Sequence, residues 1–343
     1  MREDSDWFKH EGSSSQVEGF EEARLAASAV AEECQARPTF TNVDVHACLE
    51  FERQGHVGLR SLFAAGEVEG LKQAVVNRFQ AEKFKAYTQK MRLFAEDDDD
   101  EELRKAAQNC RTEEDAEKLL KTWCEENDAV VPFLQAFNVH RGSSEDSEAI
   151  MSFVRDNSMG KIAAELMGVR GTMLYQTSIF YKEAGHGETS WHADLATSPW
   201  DTNAMITCWI PLTPIETLDD SPLEFASGSH RDVALPYWYT NEGMEDPSGD
   251  PREYDVHNHA PLQLGDCTWH HGWLFHAAPP NLGKQDRIAL AVSFVSVDAH
   301  VLGSKKLRRR PEREDMESYS EWIGEVTPGS PARHHLLPII YES

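Results

Sequence analysis

The chain has 343 residues, of which 40% are hydrophobic, and its 33 Lys and Arg against 59 Asp and Glu give a formal net charge of −26. The length suits one large domain or two small ones, and the apolar fraction suffices for a core. Strong acidity argues against non-specific binding to nucleic acid or anionic membrane, both of which need a basic face. The sequence has neither an amino-terminal apolar signal nor a run of about 18 apolar residues, so a cytoplasmic protein without a membrane span is expected. Six cysteines without a C-x-x-C pair read as reduced, packed thiols.

Residues 1–40 read as a flexible acidic leader, with a Ser triplet and only a short Ala/Val patch. From residue 44, DVHACLEFERQG reads as helix and HVGLRSLF alternates like a strand. Val68, Leu71, Val75 and Phe79 then mark one face of an amphipathic helix. The seven acids of 96–102 repel one another and read as a loop. Thr112 and Asp115 have the spacing of a capping box that opens a helix through Trp123. Segments 147–154 and 158–167 read as two more helices, the second stopped by Gly168. After Gly171 the texture changes to short β-like runs between Gly, Pro, Asn and Asp: MLYQTSIFYK, SWHADL, AMITCWIPL, CTWHHGWLFHAA and DRIALAVSFVSV. That succession predicts an antiparallel sandwich or barrel. The stretch 231–264, with Tyr237 and Trp238, is too long for a hairpin and suits a lid or binding loop.

His192-Ala193-Asp194 puts an imidazole and a carboxylate on one face of an extended strand, a start for a metal site that is weak by itself. Pro279, Pro280, Asn281 and Gly283 mark a chain reversal. If it joins two paired strands without a bulge, His276 and Arg287 are cross-strand neighbours on one face. Arg287 then shares its face with Ala289, Ala291 and Ser293, which leaves room for an anion. His270 has the same strand parity as His276 and is its rival for a metal; the reversal favours His276. His257, His259, His270 and His271 read as surface, packing or substrate-pocket residues, and His230 as structural. Two imidazoles and one carboxylate form the facial set that leaves three positions open on a non-haem Fe(II). An adjacent arginine supplies a planar fork for the far carboxylate of a chelating 2-oxo acid.

With these residues in view, the sequence resembles the phytanoyl-CoA dioxygenase family of Fe(II)/2-oxoglutarate oxygenases. The likeness runs from about residue 49 to about residue 297, in FERQGHVGLRSLFAAGEVEGL, YQTSIFYKEAGHGETSWHAD, LEFASGSH and the GD…HAAPPN…R segment. The resemblance implies a mainly β fold with α elements: a double-stranded β-helix, a cupin-like jelly-roll barrel buttressed by amino-terminal helices. The oxygenase domain is then 41–300, with a helical buttress 41–170, a jelly-roll core 171–300 and a tail 301–343. It implies His192, Asp194 and His276 as iron ligands, Arg287 as partner of the 2-oxoglutarate C5 carboxylate, and Gln176 and Trp209 as lining of the cosubstrate site. Ala278 stands where the family often has a carboxylate-binding Ser or Thr, and the retained Asp194 argues against halogenation.

The cofactors expected are Fe(II), 2-oxoglutarate and O2. The expected reaction is hydroxylation of an unactivated C–H in a small-molecule substrate, with no nucleic-acid or membrane partner. Desaturation or oxidative cyclisation, a 2-oxoglutarate-independent cupin-like metalloenzyme and a non-catalytic binding barrel are the alternatives. Substrate contacts are expected from Tyr237, Trp238, Arg231, Lys182 and Trp191. The basic cluster Lys305, Lys306, Arg308, Arg309 and Arg310 reads as part of a solvated tail, and Trp123, Trp269, Trp273 and Trp322 as packing residues.

Overall fold

The computed structural model describes residues 43–97, 100–232, 254–302 and 319–343. The acidic leader, Tyr237, Trp238 and the basic cluster lie outside the described residues. The first half is helical: α1 (Val45–Gln54), α2 (Ala65–Asp97), α3 (Glu101–Asn109), α4 (Glu113–Glu126), α5 (Glu145–Asp156) and α6 (Met159–Met167), interrupted by strands β1 (His56–Leu59) and β2 (Leu134–Phe137). The expected face of α2 is formed as read, with Val68, Leu71, Val75 and Phe79 all buried. Phe79 stacks on Tyr181 with ring centroids 4.5 Å apart, which seats the helix on the sheet behind it. Thr112 and Asp115 make the reciprocal capping box of α4. Gly168 ends α6 at φ 65°, where a Cβ would be strained.

The acid run is more than a loop. Its first residues complete α2, and Asp100 caps α3 by accepting the amides of Glu102 and Leu103. Carboxylates are favourable at a helix amino terminus because they complement its exposed N–H groups.

The second half supplies β3 (Gly171–Lys182), β4 (Thr189–His192), the short helix α7 (Asp194–Thr197), β5 (Met205–Pro211), β6 (Glu224–Ala226), β7 (Val256–Asn258), β8 (Cys267–His271), β9 (His276–Ala278), β10 (Arg287–Ser296) and β11 (Ile339–Glu342). They form two antiparallel sheets. One has seven strands in the order β1-β8-β5-β10-β3-β11, with β2 also paired to β3; the other has four, β4-β9-β6-β7. Two facing antiparallel sheets with amino-terminal helices are the mainly β, jelly-roll architecture expected.

Two expectations change. CTWHHGWLFHAA holds two strands, β8 in the large sheet and β9 in the small one, so β9 and β10 are not a hairpin. His276 pairs with His192 and Phe225, and Arg287 pairs with Lys182. The chain between them crosses from sheet to sheet. Buried Asn281 anchors that crossing by donating its side-chain amide to the carbonyls of Lys182 and Gln285. The described part of the expected tail, 319–343, is folded: Tyr319, Trp322 and Val326 join the core cluster of Met173, Trp200 and Val295, and β11 pairs with β3. Burial of these apolar side chains is the physical reason that this segment is not a solvated tail.

Candidate active site

His192 ends β4 and His276 opens β9, and they are register partners, so their rings meet with centroids 4.2 Å apart. Ala193 is still extended, and Asp194 is the first residue of α7. The H-x-D pair therefore straddles a strand end. The carboxylate nevertheless reaches the imidazoles: Asp194 Oδ1 is 3.7 Å from His192 Nε2 and 3.6 Å from His276 Nε2. One donor atom from each of these three residues lies within 4.8 Å of the others.

Backbone carbonyls set the tautomers. His192 Nδ1 donates to Ser190 O at 2.8 Å and His276 Nδ1 to Leu274 O at 3.0 Å. Both Nε2 lone pairs are left for the shared centre. Although burial opposes charge on Asp194, the imidazoles of His276, His270 and His192 hold its carboxyl well below the usual carboxylate range. Two imidazoles and one carboxylate, aimed together, fit a divalent iron with open positions.

Arg287 opens β10, and alternation directs it, Ala291 and Ser293 into the cavity that the three donors line. It is 3% exposed. Nη2 donates to Ser221 Oγ at 3.3 Å, whereas Nε and Nη1 have no hydrogen-bond partner. Burial lowers its pKa to about 9, so the guanidinium stays charged at neutral pH. Trp209 flanks it, with the guanidinium carbon 5.6 Å from the ring centroid. Gln176 and Trp209 line the same cavity, so all six expected residues are brought together.

Other expected contacts lie elsewhere. Lys182 is fully buried beside Arg287 but donates to Ala278 O and Pro279 O, tying the β9 exit to β3. Burial, reinforced by Arg287, lowers its pKa to about 6. Trp191 packs against the buried cluster of Ala193, Ala226 and Phe275, and Arg231 donates to Glu52 O. His56 and His259 share a 2.9 Å hydrogen bond, and His271 accepts from the Trp273 amide at Nδ1.

His270, set aside as a ligand, does line the cavity, as do Thr207 and Ser293. No motif marks these three. Strand parity was the signal available: it made His270 a rival of His276 and put Ser293 on the face of Arg287, and nothing pointed to Thr207.

Comparison with known proteins agrees with this chemistry. The sequence model of the phytanoyl-CoA dioxygenase (PhyH) family matches residues 51–289. The chain belongs to that family. It is a non-haem iron, 2-oxoglutarate-dependent enzyme. No curated protein matches it by sequence.

Among solved structures, this PhyH chain is similar to the non-haem alpha-ketoglutarate-dependent carbocyclase SnoK from nogalamycin biosynthesis, at 19% identity and a TM-score of 0.60 over 88% of this chain and 98% of that one. It is also similar to the epimerase SnoN in complex with Fe3+, alpha-ketoglutarate and nogalamycin RO, at 17% identity and a TM-score of 0.55 over 86% and 97%. A third likeness is EctD from S. alaskensis with 2-oxoglutarate and 5-hydroxyectoine, at 18% identity and a TM-score of 0.52 over 79% and 84%. At these identities the likeness is one of fold. Among the described residues, no helix is long and apolar enough to cross a membrane.

Proposed function

We propose that this enzyme cleaves an unactivated C–H bond of a small-molecule metabolite and hydroxylates it, with succinate and CO2 as coproducts. The observation that carries the reading is Arg287. A buried guanidinium with two unmet donors is costly unless an anion completes it, and it shares one cavity with the two-imidazole, one-carboxylate set. A 2-oxo diacid meets both needs with one molecule. In this reading His192 Nε2, Asp194 Oδ1 and His276 Nε2 hold the iron. Arg287, oriented by Ser221 and flanked by Trp209, grips the far carboxylate. Gln176 borders the cosubstrate, and Phe180 and Leu223 help keep water out of the cavity they line. Bound Fe(II) would supply O2 activation.

The test is an anaerobic titration with Fe(II) and 2-oxoglutarate, read by the visible metal-to-ligand charge-transfer band, with Arg287→Ala alongside. The expected result is a band in the wild type that needs at least about tenfold more 2-oxoglutarate in the variant, from the loss of a charge-assisted pair. Full 2-oxoglutarate-dependent turnover in Arg287→Ala would overturn the assignment, and turnover independent of 2-oxoglutarate would favour the cupin-like alternative. Product mass separates the outcomes after C–H cleavage: gain of one oxygen is hydroxylation, and loss of two hydrogens is desaturation or ring closure.

A further inference from the structure

Five polar residues lie in register across five adjacent strands of the large sheet: His56 on β1, His270 on β8, Thr207 on β5, Ser293 on β10 and Gln176 on β3. Register partners in antiparallel strands point to the same side, and four of the five line the cavity. Asp194 meets the middle of this row.

Thr207 Oγ1 donates to Asp194 Oδ2 at 2.7 Å. Its proton thus committed, Thr207 accepts from Ser293 Oγ at 2.9 Å. His270 is 2% exposed, its Nε2 stands 3.4 Å from the same Oδ2, and neither ring nitrogen has a well-formed hydrogen bond. A buried imidazole 3.4 Å from a carboxylate, with no other hydrogen-bond partner for its ring nitrogens, calls for a role. It does not belong to the set of three mutually close donors, so it faces the carboxylate from outside that set. The two oxygens of Asp194 are therefore divided: Oδ2 toward Thr207 and His270, Oδ1 toward His192 and His276.

We infer that Thr207 and His270 are positioning residues, which hold Asp194 Oδ2 from the large sheet so that only Oδ1 is presented as a ligand. The inference rests on the metal-site reading above. It adds that the small sheet supplies the two imidazoles while the large sheet sets the orientation of the carboxylate. Asp194 sits on the first turn of a four-residue helix, outside both sheets, and needs such an external restraint. Ser293 supports Thr207 and so orients the hydroxyl that does the holding.

The test is titration of the metal-free full chain with Co(II), read by visible absorbance, using Thr207→Val, Thr207→Ser, His270→Phe and Asp194→Ala. Val removes the hydroxyl at nearly constant volume, and Phe keeps a ring while removing both nitrogens. Thr207→Val is expected to weaken metal binding by about 10–100-fold, the usual range for loss of a ligand's outer partner. Thr207→Ser is expected to restore it, and His270→Phe to weaken it several-fold. A merely structural role would instead lower the melting temperature of the metal-free protein, which these variants are expected to leave within a few degrees. Wild-type affinity in Thr207→Val or in His270→Phe would remove that residue from the positioning set, provided that Asp194→Ala has lost the metal. Wild-type affinity in Asp194→Ala would overturn the ligand assignment itself, so the two failures are distinguishable.

Discussion

His192, Asp194 and His276 converge because of a register pair and a strand end. His192 and His276 face each other across β4 and β9, and the chain turns into α7 just where the carboxylate is needed. Replacing any one of them by Ala is expected to abolish Fe(II) binding and turnover while leaving the far-UV circular dichroism unchanged, because the three line a cavity rather than a packed core. Turnover retained in any of these variants would refute the ligand set. Their identities were legible because a metal requires particular atoms, which restricts the residue type. Ser293 was legible only as a neighbour of Arg287 on one strand face, and Thr207 not at all, since a hydroxyl in a strand becomes an outer partner only through its cross-strand neighbours.

At the scale of elements, helices were read more securely than strand partners. The face of α2, the capping box of α4 and the glycine stop of α6 are local devices, and all three appear as expected. The pairing of β9 with β10 failed because the Pro-Pro-Asn-Leu-Gly crossing changes sheets, a decision made by where Asn281 docks. Trp322, expected to pack, does so from a charged, Pro-rich neighbourhood: it is fully buried and stacked on Trp200 at 5.2 Å, and with it the described part of the expected tail folds onto the core. Trp322→Ala is expected to cost about 3–5 kcal/mol in urea unfolding, as for other large-to-small core changes. A loss under about 1 kcal/mol would mean that the segment does not support the core.

For the whole molecule, buried neutral histidines couple folding to pH. Burial lowers His56 to about 2, His140 to about 3 and His259 to about 3, with neighbouring histidines or arginines adding to the shift. Unfolded, each titrates near 6.5. Between these values the unfolded chain binds more protons, so the stabilisation is fully present above pH 6.5 and is lost as pH falls toward 3. From pH 7 to pH 5, above the ordinary carboxylate range, each histidine that stays neutral is expected to cost about 2 kcal/mol of unfolding free energy. Urea midpoints at the two pH values measure this, and an unchanged midpoint would contradict it.

What the sequence determined by itself was chemical: two imidazoles, a carboxylate and an arginine in the order of an iron oxygenase, together with the helices whose caps and apolar faces lie within a few turns. Those features depend on residue type and short-range geometry. Only the tertiary structure decided that His276 pairs with His192 rather than Arg287, that residues 319–343 complete the core, and that Thr207 and His270 stand behind Asp194. Each of these is set by which strands become neighbours and in what register, a choice made by the burial and hydrogen bonding of the whole sheet.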